Sequence, residues 1–328
     1  MSESKLPVTA MPALRFSLDR SLIIAFSCII LMLLGGALYS REFLSPEYLL
    51  QQLQISAFLG IIASGAMMVI LIGHIDLSIP WTVTLGAMMA TAVAGWYGET
   101  GNLLAIPVGI FCGAMVGFLN GLGVAYLRLP SMIFTLGMNA VVQGLMVLHT
   151  GGFAPQDHAT DAMHFLAVGR PIFGIPNALL IWIVVGALTI FLLTRTSFGR
   201  RVYAVGNREA AAYLSGVNTN AVIIWCFVLS GAAAAFAGVL LAGYSTKAYQ
   251  AMGDPYLLPA IAAVVLGGTN ILGGRGNYLG TIAGVILITL LQSILAVMQM
   301  PEAGRQIIYG VVILVMLLAY GRGEIDRK

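Results

Sequence analysis

Charge is scarce in this chain. Asp, Glu, Lys and Arg make up 9% of its 328 residues, against roughly 25% in a soluble domain. So few charges cannot cover a water-facing surface of this size, and a mean hydropathy of +0.94 leaves lipid as the solvent for much of it. A net charge of +3, with no Lys/Arg-rich run and no aromatic RNA-binding box, argues against nucleic acid as a partner. Cysteine is sparse too: Cys28, Cys112 and Cys226 fall inside apolar stretches at no metal-like spacing and read as small hydrophobes. Catalytic motifs are missing. There is no Gly-x-x-x-x-Gly-Lys-Ser/Thr loop, so the chain does not itself grip ATP in that way, and there is no His-Glu-x-x-His pair or Gly-x-Ser-x-Gly elbow. The four histidines, His74, His149, His158 and His164, are scattered, and His158, Asp161 and His164 read as a solvated loop rather than a metal site. No catalytic, cofactor-binding or metal-binding residue is expected.

What the chain has is apolar length. A membrane helix needs about 20 mostly apolar residues. Ten stretches meet or approach this, at about 21–39, 50–72, 80–97, 103–126, 131–150, 177–194, 220–243, 257–272, 279–299 and 305–320. The expectation is an all-α integral membrane protein of about ten transmembrane helices, a single transmembrane domain over 1–328. The first apolar run lacks a small-residue cleavage site and continues for a full span, so it reads as a retained helix. With ten spans and an inside N-terminus, Lys5, Arg15, Arg20, Arg128, Arg195, Arg200, Arg201, Arg208, Arg275, Arg322, Arg327 and Lys328 lie inside, and Arg41, Arg170, Lys247 and Arg305 lie outside. That is twelve against four, as the positive-inside rule requires. The tails 1–20 and 321–328 are then both cytoplasmic. Of the two long connections, 151–176 is outside and 195–219 inside.

Three segments stand out. Gly73-His74-Ile75-Asp76-Leu77-Ser78-Ile79-Pro80 puts a carboxylate between two apolar spans. A charge at membrane depth costs at least about 2.5–3.5 kcal/mol on insertion scales. Two readings are open: a helix-capping turn, with Ser78 as cap and Pro80 in the first turn, or a gate or inter-helix clamp near a transport path. In the inside loop, Asn207 is expected as N-cap, Glu209 in the first turn and Ser215-Gly216 as the stop of about two turns of helix, with Tyr213 and Leu214 exposed. Such a patch meets a partner protein or lies flat on lipid headgroups. The third segment, 262–281, has five glycines within ten residues, permitting tight bends and close helix contact. The turns after the second and eighth spans echo one another, both spans are candidates for broken or re-entrant helices, and the echo is compatible with a duplicated half. Gly113, Gly117, Gly121 and the run 231–235 read as helix-packing surfaces.

On these segments the chain resembles the ABC-superfamily permeases for ribose, xylose and arabinose, a group that also covers autoinducer-2 and polyol importers. The resemblance rests on 73–78, on Leu129-Pro130-Ser131 with Thr135-Leu136-Gly137, on Phe198-Gly199-Arg200 through Gly206-Asn207 and Ser215-Gly216-Val217-Asn218, on Leu229-Ser230-Gly231 to Ala237-Gly238, and on 262–280. His74 stands where the family usually has a second Gly, Ile79-Pro80 where it often has Val-Gly, and Met132-Ile133-Phe134 differs from its commonest form. The resemblance implies a type II ABC importer permease fold in the bacterial inner membrane, and a dimer with itself or a paralogue. It further implies ATPase subunits docked on a coupling helix (Asn207, Arg208, Glu209, Ala210, Tyr213, Leu214, Gly216), and a periplasmic or extracellular sugar-binding protein. ATP would be used by the partner subunit. Candidates for a gate or translocation path are His74, Asp76, Ser78, Thr135, Asn139, Thr269 and Asn270. Competing readings are an ion-coupled secondary transporter, for which Asp76 is the single acid near a span's interior, and an ABC permease for a non-sugar solute such as an amino acid or nucleoside.

Overall fold

The protein's computed structural model describes residues 20–301, 303–311 and 314. The expected tails 1–20 (Arg20 apart) and 321–328, and half of the tenth stretch, lie outside the described residues. The helices are α1 (Arg20–Tyr39), α2 (Pro46–Leu71), α3 (Ile79–Ala125), α4 (Ser131–His149), α5 (Asp161–Val168), α6 (Asn177–Arg195), α7 (Ser197–Asn207), α8 (Glu209–Leu214), α9 (Thr219–Ser245), α10 (Leu257–Leu266) and α11 (Tyr278–Val297). Residues 303–311 are also helical, and among the described residues no strand forms beyond two isolated bridges. Among the described residues six helices, α2, α3, α4, α6, α9 and α11, are long and apolar enough to cross a membrane.

The chain folds as it does because small residues let helices meet backbone to backbone. At 47 residues α3 covers two expected spans, and it breaks at Gly98 (φ 53°, ψ −126°). The halves then run antiparallel: Gly101 lies on the carbonyl of Val93, and a Cβ on Gly109 would stand 2.7 Å from the carbonyl of Gly86. Helix α9 runs back along the second half, with Gly113 against Gly231 and Ala235, Gly117 against Phe227, and Gly121 against Ile224. The glycine stripes seen in the sequence are therefore packing surfaces, as close helix approach in lipid demands.

At the centre stands α2, buried at every residue from 56 to 72. Two large polar side chains packed against it are satisfied internally, because an unsatisfied group in hydrocarbon costs several kcal/mol. The Trp182 indole donates to the Tyr278 hydroxyl (3.1 Å), which donates to the Gly60 carbonyl (3.0 Å), joining α6, α11 and α2. Helices α4 and α6 instead turn large apolar side chains outward, among them Ile133, Leu136, Leu148, Val184 and Leu188. That is the inverse of a soluble bundle and the expected pattern toward lipid.

Four expectations need correction. The eighth stretch, 257–272, is helical only over the ten residues of α10; Gly268, Gly273 and Gly274 then take left-handed φ of 86°, 89° and 76° and end it. The second span is not broken, since α2 is continuous to Leu71. The loop 195–219 holds two helices rather than one: α7 is capped by Thr196, whose hydroxyl accepts from Gly199 N–H, and buries Gly199, Val202 and Val205. Asn207 is consequently the last residue of α7, and Arg208 holds the N-cap position of α8 without a side-chain cap.

Candidate functional site

The turn 72–78 is tied by side-chain hydrogen bonds to α4 and α9. Asp76 is 4% exposed, and its carboxylate accepts from Ser78 N–H (3.0 Å), Ser78 Oγ (2.6 Å) and Ser230 Oγ of α9 (2.9 Å). Asn120, on the second half of α3, donates to Ser78 Oγ (2.8 Å). Ser78 occupies the N-cap position of α3 but makes no side-chain cap; its hydroxyl donates to Asp76 and accepts from Asn120, and Pro80 lies in the first turn. Through these bonds the turn clamps the start of α3 to α9 and to the second half of α3.

A second set of partners comes from α4. Ser131, Thr135 and Asn139 recur every four residues and so share one face. Ser131 Oγ accepts from Ile75 N–H (3.4 Å), Thr135 Oγ1 from Leu77 N–H (2.9 Å) and Asn139 Oδ1 from Trp81 N–H (3.3 Å). These N–H groups belong to an irregular turn and a first helical turn, which lack intrahelical partners. Thr135 and Asn139 thus hold backbone in place. His74 packs its ring near Phe227 of α9, with centroids 6.2 Å apart.

The glycine-rich turn after α10 meets the end of α2. Gly274 N–H donates to the Leu71 carbonyl (2.9 Å), and a Cβ on Gly73 would lie 3.2 Å from the Leu272 carbonyl. The two turns that echo in sequence therefore touch. Within the second, Asn270 caps locally, accepting from Leu272 N–H (3.0 Å), and Thr269 is buried at 1% exposure. His74, Asp76, Ser78, Thr135 and Asn139 are brought together at one clamp; Thr269 and Asn270 sit in the neighbouring turn.

Helices α7 and α8 dock on this same end. Gly206 lies on the Leu71 carbonyl and within reach of Gly274, so α7 meets both turns at once. Tyr203 OH donates to the Gly276 carbonyl (2.9 Å). Glu209, at the start of α8, accepts from Arg128 Nη1 (2.9 Å) in the connection between α3 and α4. Gly216 (φ 81°) stops α8 as expected, with Val217 N–H returning to the Ala212 carbonyl. Tyr213 and Leu214 are 68% and 85% exposed. Asn207, Arg208 and Ala210 are exposed beside them.

Sequence reasoning did not single out Arg128, Asn120, Ser131, Tyr203, Gly206 or Ser230 as site residues. Ser131, Gly206 and Ser230 stood inside quoted motifs, and a polar Asn120 within an apolar run was the available signal for the clamp. Among the described residues no group of three or more His, Cys, Asp and Glu side chains converges as a metal site would. His164 is instead turned to the Gly243 carbonyl at 3.0 Å.

Residues 48–317 match the family described as "Branched-chain amino acid transport system / permease component". The chain is 33% identical over 298 residues to the ribose import permease protein RbsC of Haemophilus influenzae, covering 90% of this chain and 91% of that one. It is 34% identical over 294 residues to the ribose import permease protein of Bacillus subtilis, covering 89% and 88%. It is 33% identical over 307 residues to the autoinducer 2 import system permease protein LsrC of Salmonella typhi, covering 93% and 86%. No solved structure matches. With that match over most of its length, and with its apolar helices joined end to end by polar turns, the chain belongs to the permease-component family of branched-chain amino acid transport systems.

Proposed function

We propose that this chain is the membrane-spanning permease subunit of an ATP-driven importer for a monosaccharide or related polyol. The observation that carries the reading is similarity along about nine-tenths of the chain to proteins named as ribose import permeases. The ten-span, type II architecture follows if the 47-residue α3 crosses twice and α1, α10 and the helix at 303–311 complete the set. Both termini and the α7–α8 end then face the cytoplasm, where the twelve-to-four distribution of basic residues puts them.

Mechanistically, an ATPase subunit docks on the exposed Tyr213 and Leu214 of α8, with Asn207 to Gly216 as the coupling segment. Its movement reaches α2 and the turn after α10 through Gly206, and the α3–α4 connection through Arg128. The clamp at Asp76 passes that movement to α9. Alternating access then needs a second permease copy across the membrane, and a binding protein on the outer face delivers solute. ATP is hydrolysed on the partner, and this chain translocates.

The family description favours a second reading, amino-acid cargo. Cells carrying the chain with its partner subunits decide between them, using labelled D-ribose, D-xylose, D-galactose and L-leucine. Uptake of a sugar that ends on ATP depletion and survives a protonophore fits the proposal. Uptake of leucine alone, or uptake that a protonophore abolishes while ATP persists, overturns it.

A further inference from the structure

A cavity lies at the opposite end of the molecule from α7 and α8. It measures about 500 Å³, within the ~300–1,000 Å³ of small-molecule sites. Met88 and Thr91, buried on the first half of α3, form its floor. Trp96 and His149 form a wall, with rings edge to face at 5.5 Å and 75°. The strap 150–157 closes the far side, and it is held in place: Gln250 Nε2 donates to Thr150 Oγ1 (2.9 Å) and to the Phe153 carbonyl (3.1 Å). Asp157 rests on the bare backbone of Gly95, where a Cβ would stand 2.5 Å from Oδ1. A side chain at 95 would push the carboxylate away.

The lining is of two kinds. Trp96 is 55% exposed and offers a broad apolar face. Asp157 and His149 offer polar atoms with no hydrogen-bond partner among the described residues, and Gln156 uses only its amide nitrogen, on the Ala154 carbonyl. A tryptophan at the membrane interface requires only an apolar body and a wet tip; it does not require a carboxylate, an imidazole and an amide beside it. A flat aromatic beside a carboxylate and an amide suits a molecule with one apolar C–H face and a rim of hydroxyls. Hydroxyls can donate to Asp157 and Gln156 while the ring face covers the indole. Among the described residues no Lys or Arg lines the cavity and Asp157 does, so a neutral ligand fits better than an anion.

We infer that this cavity is a binding vestibule for a single neutral monosaccharide, held against Trp96 and hydrogen-bonded by Asp157, on the outer side of the permease chain itself. The assignment of sugar as cargo rests on the function proposed above; the vestibule gives that cargo a place on this chain before translocation.

The test uses the full chain purified in lipid nanodiscs, with equilibrium binding of labelled D-ribose, D-xylose and D-galactose. Wild type binds at least one of them saturably. Trp96→Leu and Asp157→Asn each weaken that binding by about tenfold or more, a factor well within the reach of one lost hydrogen bond to a charged group. Trp225→Leu, on the apolar face beside Phe111 and Phe118, leaves it unchanged, and thermal unfolding of each variant verifies the fold. Absence of saturable binding of all three sugars to wild type, or binding undiminished in Trp96→Leu, overturns the inference. Uptake by the whole importer is measured in parallel. Sugar uptake without binding here rejects the vestibule and leaves the proposed function standing; sugar binding here without sugar uptake does the reverse.

Discussion

Arg128 Nη1 lies 2.9 Å from Glu209 Oε1, linking the α3–α4 connection to the first residue of α8. The pair is solvent-exposed, with side chains 62% and 38% accessible, so it contributes about 0–1 kcal/mol to stability. Arg128 nevertheless sits at φ 53°, a left-handed conformation that costs an L-residue roughly 1–2 kcal/mol. A residue in that conformation with so weak a stabilising partner is placed for something other than stability. Here it places a guanidinium against the segment proposed to receive the ATPase.

Arg128→Gly separates the two roles. Glycine relieves the left-handed backbone and removes the ion pair. Thermal unfolding in detergent should show a variant as stable as wild type to within about 1 kcal/mol, while uptake per ATP hydrolysed falls. The charge reversal Arg128→Glu should impair uptake further, and adding Glu209→Arg should restore part of it. Uptake unaffected in both single variants would remove this pair from the coupling route.

The clamp at Asp76 makes an ordering prediction. Asp76→Ala strips an acceptor from Ser78 N–H, Ser78 Oγ and Ser230 Oγ at once, and each buried group left unpaired costs about 1–3 kcal/mol. Ser230→Ala removes one donor and leaves the carboxylate its two bonds from Ser78. Unfolding measurements should therefore rank Asp76→Ala well below Ser230→Ala. Equal losses, or the opposite order, would mean that the carboxylate is not the hub of the turn.

How legible this was differs between elements for physical reasons. The long apolar runs appear in sequence because burial in lipid imposes about 20 residues of one character on any spanning helix, and α2, α4, α6, α9 and α11 start and stop within a few residues of their expected limits. Helix α7 was missed because its buried face is only Gly199, Val202 and Val205 amid arginines, too little apolar surface to declare a helix. That extra helix is why Asn207 ends one element instead of opening the next. Ser78 failed as a cap because its backbone is already helical (φ −85°, ψ −7°) rather than extended, and its hydroxyl oxygen accepts from Asn120 instead. The Arg128–Glu209 pair and the α4 ladder to the 72–78 turn join residues more than fifty positions apart, and no local pattern encodes such a meeting. The exposure of Tyr213 and Leu214, by contrast, follows from a short helix with a glycine stop, and was readable.

Gly206 tests the link between α7 and the spans. A Cβ there would overlap the Leu71 carbonyl and lie 2.7 Å from Gly274 N, and backbone cannot yield as a side chain would. Gly206→Ala should displace α7 from both turns and lower uptake strongly. Gly144→Ala, on α4 with open space around its Cβ position, is the control; it should be neutral or up to about 1 kcal/mol more stable through helix propensity. Similar uptake from the two variants would show that close contact at 206 is not needed for transport.

The docking surface itself is tested by Tyr213→Asp combined with Leu214→Asp. Both side chains project from α8 into solvent, so the substitutions leave the fold of this chain unchanged, and its unfolding temperature should match wild type. Two carboxylates on that surface would have to be desolvated beneath a partner, at a penalty of several kcal/mol per ion, and this should abolish both co-purification of the ATPase subunit and uptake. The combination of readouts matters. Lost uptake with the ATPase still bound would place the defect in transmission through Gly206 and Arg128, downstream of docking. Persistence of both would mean that the ATPase engages this chain elsewhere, and that Tyr213 and Leu214 rest on lipid headgroups instead.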